Sequence, residues 1–76
     1  STGNTYDIIL ANINLNVILA NLSSVAQSTL TGGIILFSGI LKENELELIT
    51  AAEQAGLEYL TTIQRADWIA VMAKKP

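Results

Sequence analysis

Two uninterrupted apolar runs and two stretches of three- and four-residue apolar spacing frame this 76-residue chain. Residues 6–13 (YDIILANI) place Ile8, Ile9, Leu10 and Ala11 in a row. A run that does not alternate polar with apolar predicts a strand covered on both faces. Residues 14–30 follow with Val17, Leu19, Ala20, Leu22, Val25, Ala26 and Leu30 at helical steps. Asn14 or Asn16 suits the start of that helix, because a short side-chain oxygen accepts from a free first-turn N–H. Thr31, Gly32 and Gly33 break it. Residues 34–40 (IILFSGI) are a second apolar run and a second predicted strand. Residues 42–54 (KENELELITAAEQ) read as a helix, with acidic residues in the first turns where the helix dipole favours them. Its predicted apolar face is Leu46, Ile49 and the 52–55 segment, and Gly56 ends it. Residues 57–64 form a mixed strand with β-branched Thr61, Thr62 and Ile63. Residues 67–73 (DWIAVMA) form the last strand, after a tight Arg65–Ala66–Asp67 connection.

The predicted order is β-α-β-α-β-β, an α/β class chain of parallel strands with a C-terminal antiparallel hairpin. A strand–helix–strand unit gives a parallel pair through a right-handed crossover. Successive crossovers of one hand along a growing row put both helices on one face of the sheet. In the last strand Trp68, Ala70 and Met72 point one way and Ile69, Val71 and Ala73 the other. Both sets are apolar, so the second sheet face is expected to be an open apolar surface.

Composition sharpens this expectation. Half the residues are apolar and 14% are charged, against roughly 25% charged in a typical soluble domain. A chain this short buries only about 60% of its unfolded surface. It carries more apolar surface than it can cover alone, which points to a single partial domain over residues 1–76 or an obligate homo-oligomer. Ser1 to Thr5 reads as a linker or an appended tail. The net charge of −3 and four cations leave no basic patch, which argues against direct nucleic-acid binding. Cysteine and histidine are both absent. Thiol chemistry is thereby excluded, as is the commonest metal ligand and general base, and no metal site is expected. No apolar run reaches the ~18 residues of a membrane span, so a membrane is not an expected partner. A cytoplasmic location fits the absence of cysteine.

Four segments together resemble a known family. They are YDIILANI at residues 6–13, LTGGIILFSGIL at 30–41, AAEQAGL at 51–57 and DWIAV at 67–71. The combination resembles the PrmA ribosomal-protein methyltransferases, from about Tyr6 to Lys74. The resemblance implies an enzyme that methylates amino groups of a large-subunit ribosomal protein, with S-adenosylmethionine as cofactor. It also implies a Rossmann-like methyltransferase sheet, of which these residues match only the fourth to seventh strands. The glycine-rich loop that holds the methyl donor is not among these 76 residues, so the isolated chain is expected to be inactive. Thr31 stands where the family usually has proline, and Asn14 where many relatives have a small or apolar residue.

The resemblance directs attention to Asn12. Ligands of open α/β sheets bind beyond the carboxyl ends of the strands. Methyl transfer to an amine needs a neutral nitrogen lone pair aimed at the sulfonium methyl. An asparagine or backbone carbonyl can accept the amine's N–H and aim that lone pair, with no histidine required. Asn12 is therefore the expected catalytic residue, bordering both donor and acceptor. Ile13, Asn14, Ser38 and Gly39 are the further expected substrate-binding residues. Plain structural explanations stand beside these. Asn12 suits a strand-end turn, Asn14 suits a helix cap, and Ser38–Gly39 suits a strand bend. Gly32–Gly33 reads as a turn, not a phosphate loop. Trp68 reads as core or interface, and the glutamates of residues 43–53 as helix surface.

Two functional readings follow. In one, the chain is the C-terminal part of a PrmA-like methyltransferase. In the other, it is a non-catalytic assembly module that self-associates through its first strand's edge and its apolar sheet face. Both expect self-association of the chain as it stands.

Overall fold

The computed structural model describes residues 8–11 and 14–76. Its elements are β1 (Ile8–Ala11), α1 (Leu15–Ser28), β2 (Ile34–Leu41), a 3₁₀ turn (Lys42–Asn44), α2 (Glu45–Gln54), β3 (Glu58–Arg65) and β4 (Trp68–Lys74). The fold is α/β, with one four-stranded sheet in the order β1-β2-β4-β3. β1 runs parallel to β2. β2, β4 and β3 form an antiparallel trio.

β4 occupies an interior position between β2 and β3, so the strands flanking α2 are not neighbours. The residue types explain the placement. β4 is apolar on both faces, whereas β3 carries Glu58, Thr61, Thr62, Gln64 and Arg65. Polar and charged side chains suit a sheet edge, where one row of backbone groups meets water and stray pairing must be discouraged. The interior position went to the strand with the more apolar surface to cover.

One core forms, on one side of the sheet. Ile18, Leu22 and Ala26 of α1 and Leu48 and Ala52 of α2 pack on Ile35, Phe37, Ile40, Ile69, Val71 and Ala73. Both helices thus cover the same face. In α1 the buried row is Ile18–Leu22–Ala26, a four-residue step. Val17 and Leu30, expected in the apolar face, are exposed, and the helix ends at Ser28. In α2 the core residue is Leu48, not the expected Leu46, which is 76% exposed. Leu46–Ile49 and Leu48–Ala52 are both legitimate helical spacings, and only packing against the sheet selects between them.

Local chemistry fixes the helix ends. Asn14 caps α1: its side-chain oxygen accepts from the Asn16 backbone N–H at 2.7 Å. At the other end the Thr29 hydroxyl donates to the Val25 carbonyl at 2.8 Å, and the Lys75 ammonium donates to the Ala26 carbonyl. Carbonyls of the last turn have no partner within the helix, and a cation there also meets the negative end of the dipole. α2 closes with two returning bonds. The Gly56 N–H donates to Glu53 and the Leu57 N–H to Ala52, both at 3.0 Å. This pattern requires a left-handed residue, and Gly56 has φ 92°. A Cβ at Gly56 would meet no atom within 4 Å. Gly56→Ala is therefore expected to cost only the left-handed backbone penalty, about 1 kcal/mol. Urea denaturation checks this, and a loss several times larger would mean that the turn packs more tightly than described.

The opposite face of the sheet has no cover from the described residues. β4 alternates regularly, with Ile69, Val71 and Ala73 buried and their neighbours less so. Leu36 lies opposite Met72 and Leu41 opposite Trp68 in the β2–β4 register, and Ile63 lies opposite Ala70 in β3. Trp68 is 51% exposed and Ile63 40%. The open apolar face expected from the strand pattern is present.

Candidate active-site cleft

Parallel β1 and β2 bring their carboxyl ends to one edge of the sheet. Antiparallel β4 brings its first residue, Trp68, to the same edge, opposite Leu41. A cleft of about 510 Å³ opens there. Asn14, Leu15 and Asn16 line it from the start of α1, and Gly39, Ile40 and Leu41 from the end of β2. Asn44 and Glu47 line it from the entry to α2, and Trp68 closes the set.

The β2 wall is shaped by a bulge. Phe37 pairs with Val71 and Ile40 with Ile69, so β2 takes three steps where β4 takes two. The extra residue keeps Phe37 and Ile40 both in the core and displaces the Ser38–Gly39 step from the β4 ladder. Gly39 has φ 77°, a conformation that residues with a Cβ avoid. A backbone bond from the Lys42 N–H to the Asp67 carbonyl, 3.3 Å, ties the end of β2 to the turn before Trp68.

The expected site residues divide. Asn14 and Gly39 line the cleft together. Asn14 does so as the α1 cap, the structural role its type and position suited. Ser38 is half-buried, opposite Ala11 in the β1–β2 register, and is not among the lining residues. Asn12 and Ile13 lie outside the described residues. They join Ala11, the last residue of β1, to Asn14 at the cleft wall.

Asn16, Asn44, Glu47 and Trp68 line the cleft without having been singled out as site residues. Glu47 read as helix surface because α2 in isolation shows only an acidic first turn. Trp68 read as core or interface because its place at the cleft depends on β4 inserting beside β2. The signal for Asn44 and Glu47 was their position just after a strand whose carboxyl end faces the ligand side.

Comparison with known proteins bears on this cleft. The sequence profile of the family described as ribosomal protein L11 methyltransferase (PrmA) matches residues 1–76. A ribosomal protein L11 methyltransferase of Ruminiclostridium cellulolyticum is 37% identical over 71 residues, which are 93% of this chain and 22% of the relative. Another, from Exiguobacterium sp., is 39% identical over 70 residues, 92% of this chain and 22% of the relative. A third, from Herpetosiphon aurantiacus, is 35% identical over 75 residues, 96% of this chain and 23% of the relative. The chain thus spans less than a quarter of the length of these curated relatives.

Proposed function

The chain belongs to the ribosomal protein L11 methyltransferase family, and from that premise we propose that it forms the acceptor-amine side of the active site of a protein methyltransferase. The observation that carries the proposal is the cleft at the carboxyl edge of β1 and β2. Asn12 and Ile13 of the A-N-I segment connect Ala11, the last residue of β1, to the cleft residue Asn14. The sheet corresponds to the fourth to seventh strands of a Rossmann-like methyltransferase domain, and the relatives' names point to ribosomal protein L11 as the acceptor. The cytoplasm, where ribosomes work, is the location this reading implies. The match over the whole chain favours this reading over a non-catalytic assembly module.

S-adenosylmethionine, when bound, would supply an electrophilic sulfonium methyl. The residues present fit one wall of a pocket for it. The sequence includes no glycine-rich strand–helix turn, and the described residues line the cleft with no cation, so the main hold on the donor would fall to parts of a full-length methyltransferase outside these residues. In this reading Asn12 would border the donor and orient the acceptor. Its side-chain oxygen would accept one N–H of the neutral amine, and the Ile13 carbonyl a second. With two hydrogens held, the lone pair has one direction left, and orientation is the main catalytic contribution. The Asn14 cap fixes where α1 begins. The amine reacts in its neutral form, and loss of its proton to solvent water needs no histidine in the chain.

The test is a chimera. The Exiguobacterium enzyme carrying this chain in place of its own matched segment is expected to methylate its ribosomal protein within about tenfold of the parent kcat/KM. A folded chimera that binds donor but transfers no methyl would overturn the proposal.

The open face bears on association. In the longer protein, chain beyond these residues covers Leu36, Ile63 and Met72. The 76-residue chain alone is expected to pair these faces between two copies. Sedimentation velocity is expected to show a dimer or larger species, shifted toward monomer by Met72→Glu. A wild-type chain that stays monomeric at high concentration would contradict this.

A further inference from the structure

Among the described residues that line the cleft, Glu47 is the single ionisable side chain. It shares the cleft with Trp68, whose ring is half exposed, and with the amide side chains of Asn16 and Asn44. The starts of α1 and α2 both border the cleft, and their dipoles alone would favour an anion. Two features offset them. Asn14 already places a carbonyl oxygen on the first-turn N–H of α1, and Glu45 and Glu47 occupy the first turn of α2. Among the described lining residues, the full charge left is negative. A carboxylate and an exposed indole lining one cleft can together receive a cation, through Coulomb attraction and through the ring's electron-rich face.

We propose that Glu47 is a specificity-determining residue that draws a primary ammonium group of the acceptor into the cleft. The inference rests on the acceptor-side reading above and adds the charge state in which the acceptor arrives. An amine in neutral water is mostly protonated, so a cleft that collects amines must first attract ammonium ions. Glu47 attracts the incoming ammonium to the cleft and takes no part in the transfer; the ammonium gives its extra proton to solvent water, and the neutral amine then meets the methyl. The same charge disfavours acidic acceptor segments, which gives selection by sign as well as by shape.

The experiment titrates the ¹⁵N-labelled chain with N-acetyl-lysine methylamide, and with the uncharged norleucine analogue as control. The lysine compound is expected to shift the Trp68 indole and the Asn44 side-chain amide, and the norleucine compound to leave them in place. Glu47→Gln is expected to weaken lysine binding about threefold, the scale of an exposed charge pair. Glu47→Asp restores most of it, and added salt weakens the wild type toward the variant. Equal shifts from both compounds, no shift from either, or undiminished binding by Glu47→Gln would each overturn the proposal. In the chimera, Glu47→Gln is expected to raise the KM for the ribosomal protein with kcat nearly unchanged. An active chimera indifferent to Glu47→Gln defeats the role of Glu47 alone, whereas an inactive wild-type chimera defeats the acceptor-side reading itself.

Discussion

Phe37→Ala is expected to remove most or all of the stability of the fold. Phe37 is fully buried at the centre of β2, beside Val71 of β4 and within the layer covered by both helices. Truncating a buried phenylalanine costs roughly 3–5 kcal/mol, as lost transfer energy plus the cavity left behind. Small domains are stable by only about 0.05–0.15 kcal/mol per residue, so a loss of that size is comparable to the whole. Collapse around the cavity is limited because the bulge after Phe37 fixes the spacing to Ile40 and the ladder fixes β4. Urea denaturation of the variant is expected to show no folded baseline or a midpoint near zero denaturant. As a control, Leu60→Ala changes a 40% exposed side chain on edge strand β3 and is expected to cost less than about 1 kcal/mol. Comparable losses in the two variants would mean that the core is not centred where the structure places it.

The second large effect concerns rate. Asn12→Ala in the active chimera is expected to lower kcat by about 100-fold or more, the scale of losing the alignment of a reacting group. Donor affinity is expected to fall far less, because the main hold on the donor lies elsewhere. Asn12→Asp keeps the acceptor oxygen and loses the amide N–H, so it is expected to fall between wild type and Asn12→Ala. Steady-state methyl transfer, with donor binding measured separately, distinguishes these outcomes. An Asn12→Ala enzyme with unchanged kcat would return Asn12 to the status of a strand-end residue.

Much of the fold was legible because the signals are local. The apolar runs at Ile8–Ala11 and Ile34–Leu41 mark strands, and Gly56 marks a helix end through its conformation alone. The parallel first pair and the final hairpin follow from connection length. The phase of α2 was not legible, since Leu46 and Leu48 each begin a plausible apolar row and a 3₁₀ turn precedes the helix. Nor was the interior place of β4, which depends on how much apolar surface each candidate strand must cover. That one non-local choice decides the cleft. It brings Trp68 to the edge of the sheet where Glu47 and Asn44 enter, and residues more than twenty positions apart then line one space. Gly39 was singled out from its place at a strand end, and the positive φ explains why glycine stands there. Ser38 shared that place, but of the two only Gly39 lines the cleft.

The proposed division of labour, with the acceptor side in these residues and the donor's main hold elsewhere in a full-length methyltransferase, is the central claim, and donor binding tests it most directly. Titration calorimetry of S-adenosylmethionine into the isolated chain, with its folded state checked by its NMR spectrum, is expected to give no heat of binding tighter than about 1 mM. The chimera is expected to bind in the micromolar range under the same conditions. Micromolar binding by the isolated 76 residues would contradict the account, because the donor would then be held by the very segment assigned to the acceptor.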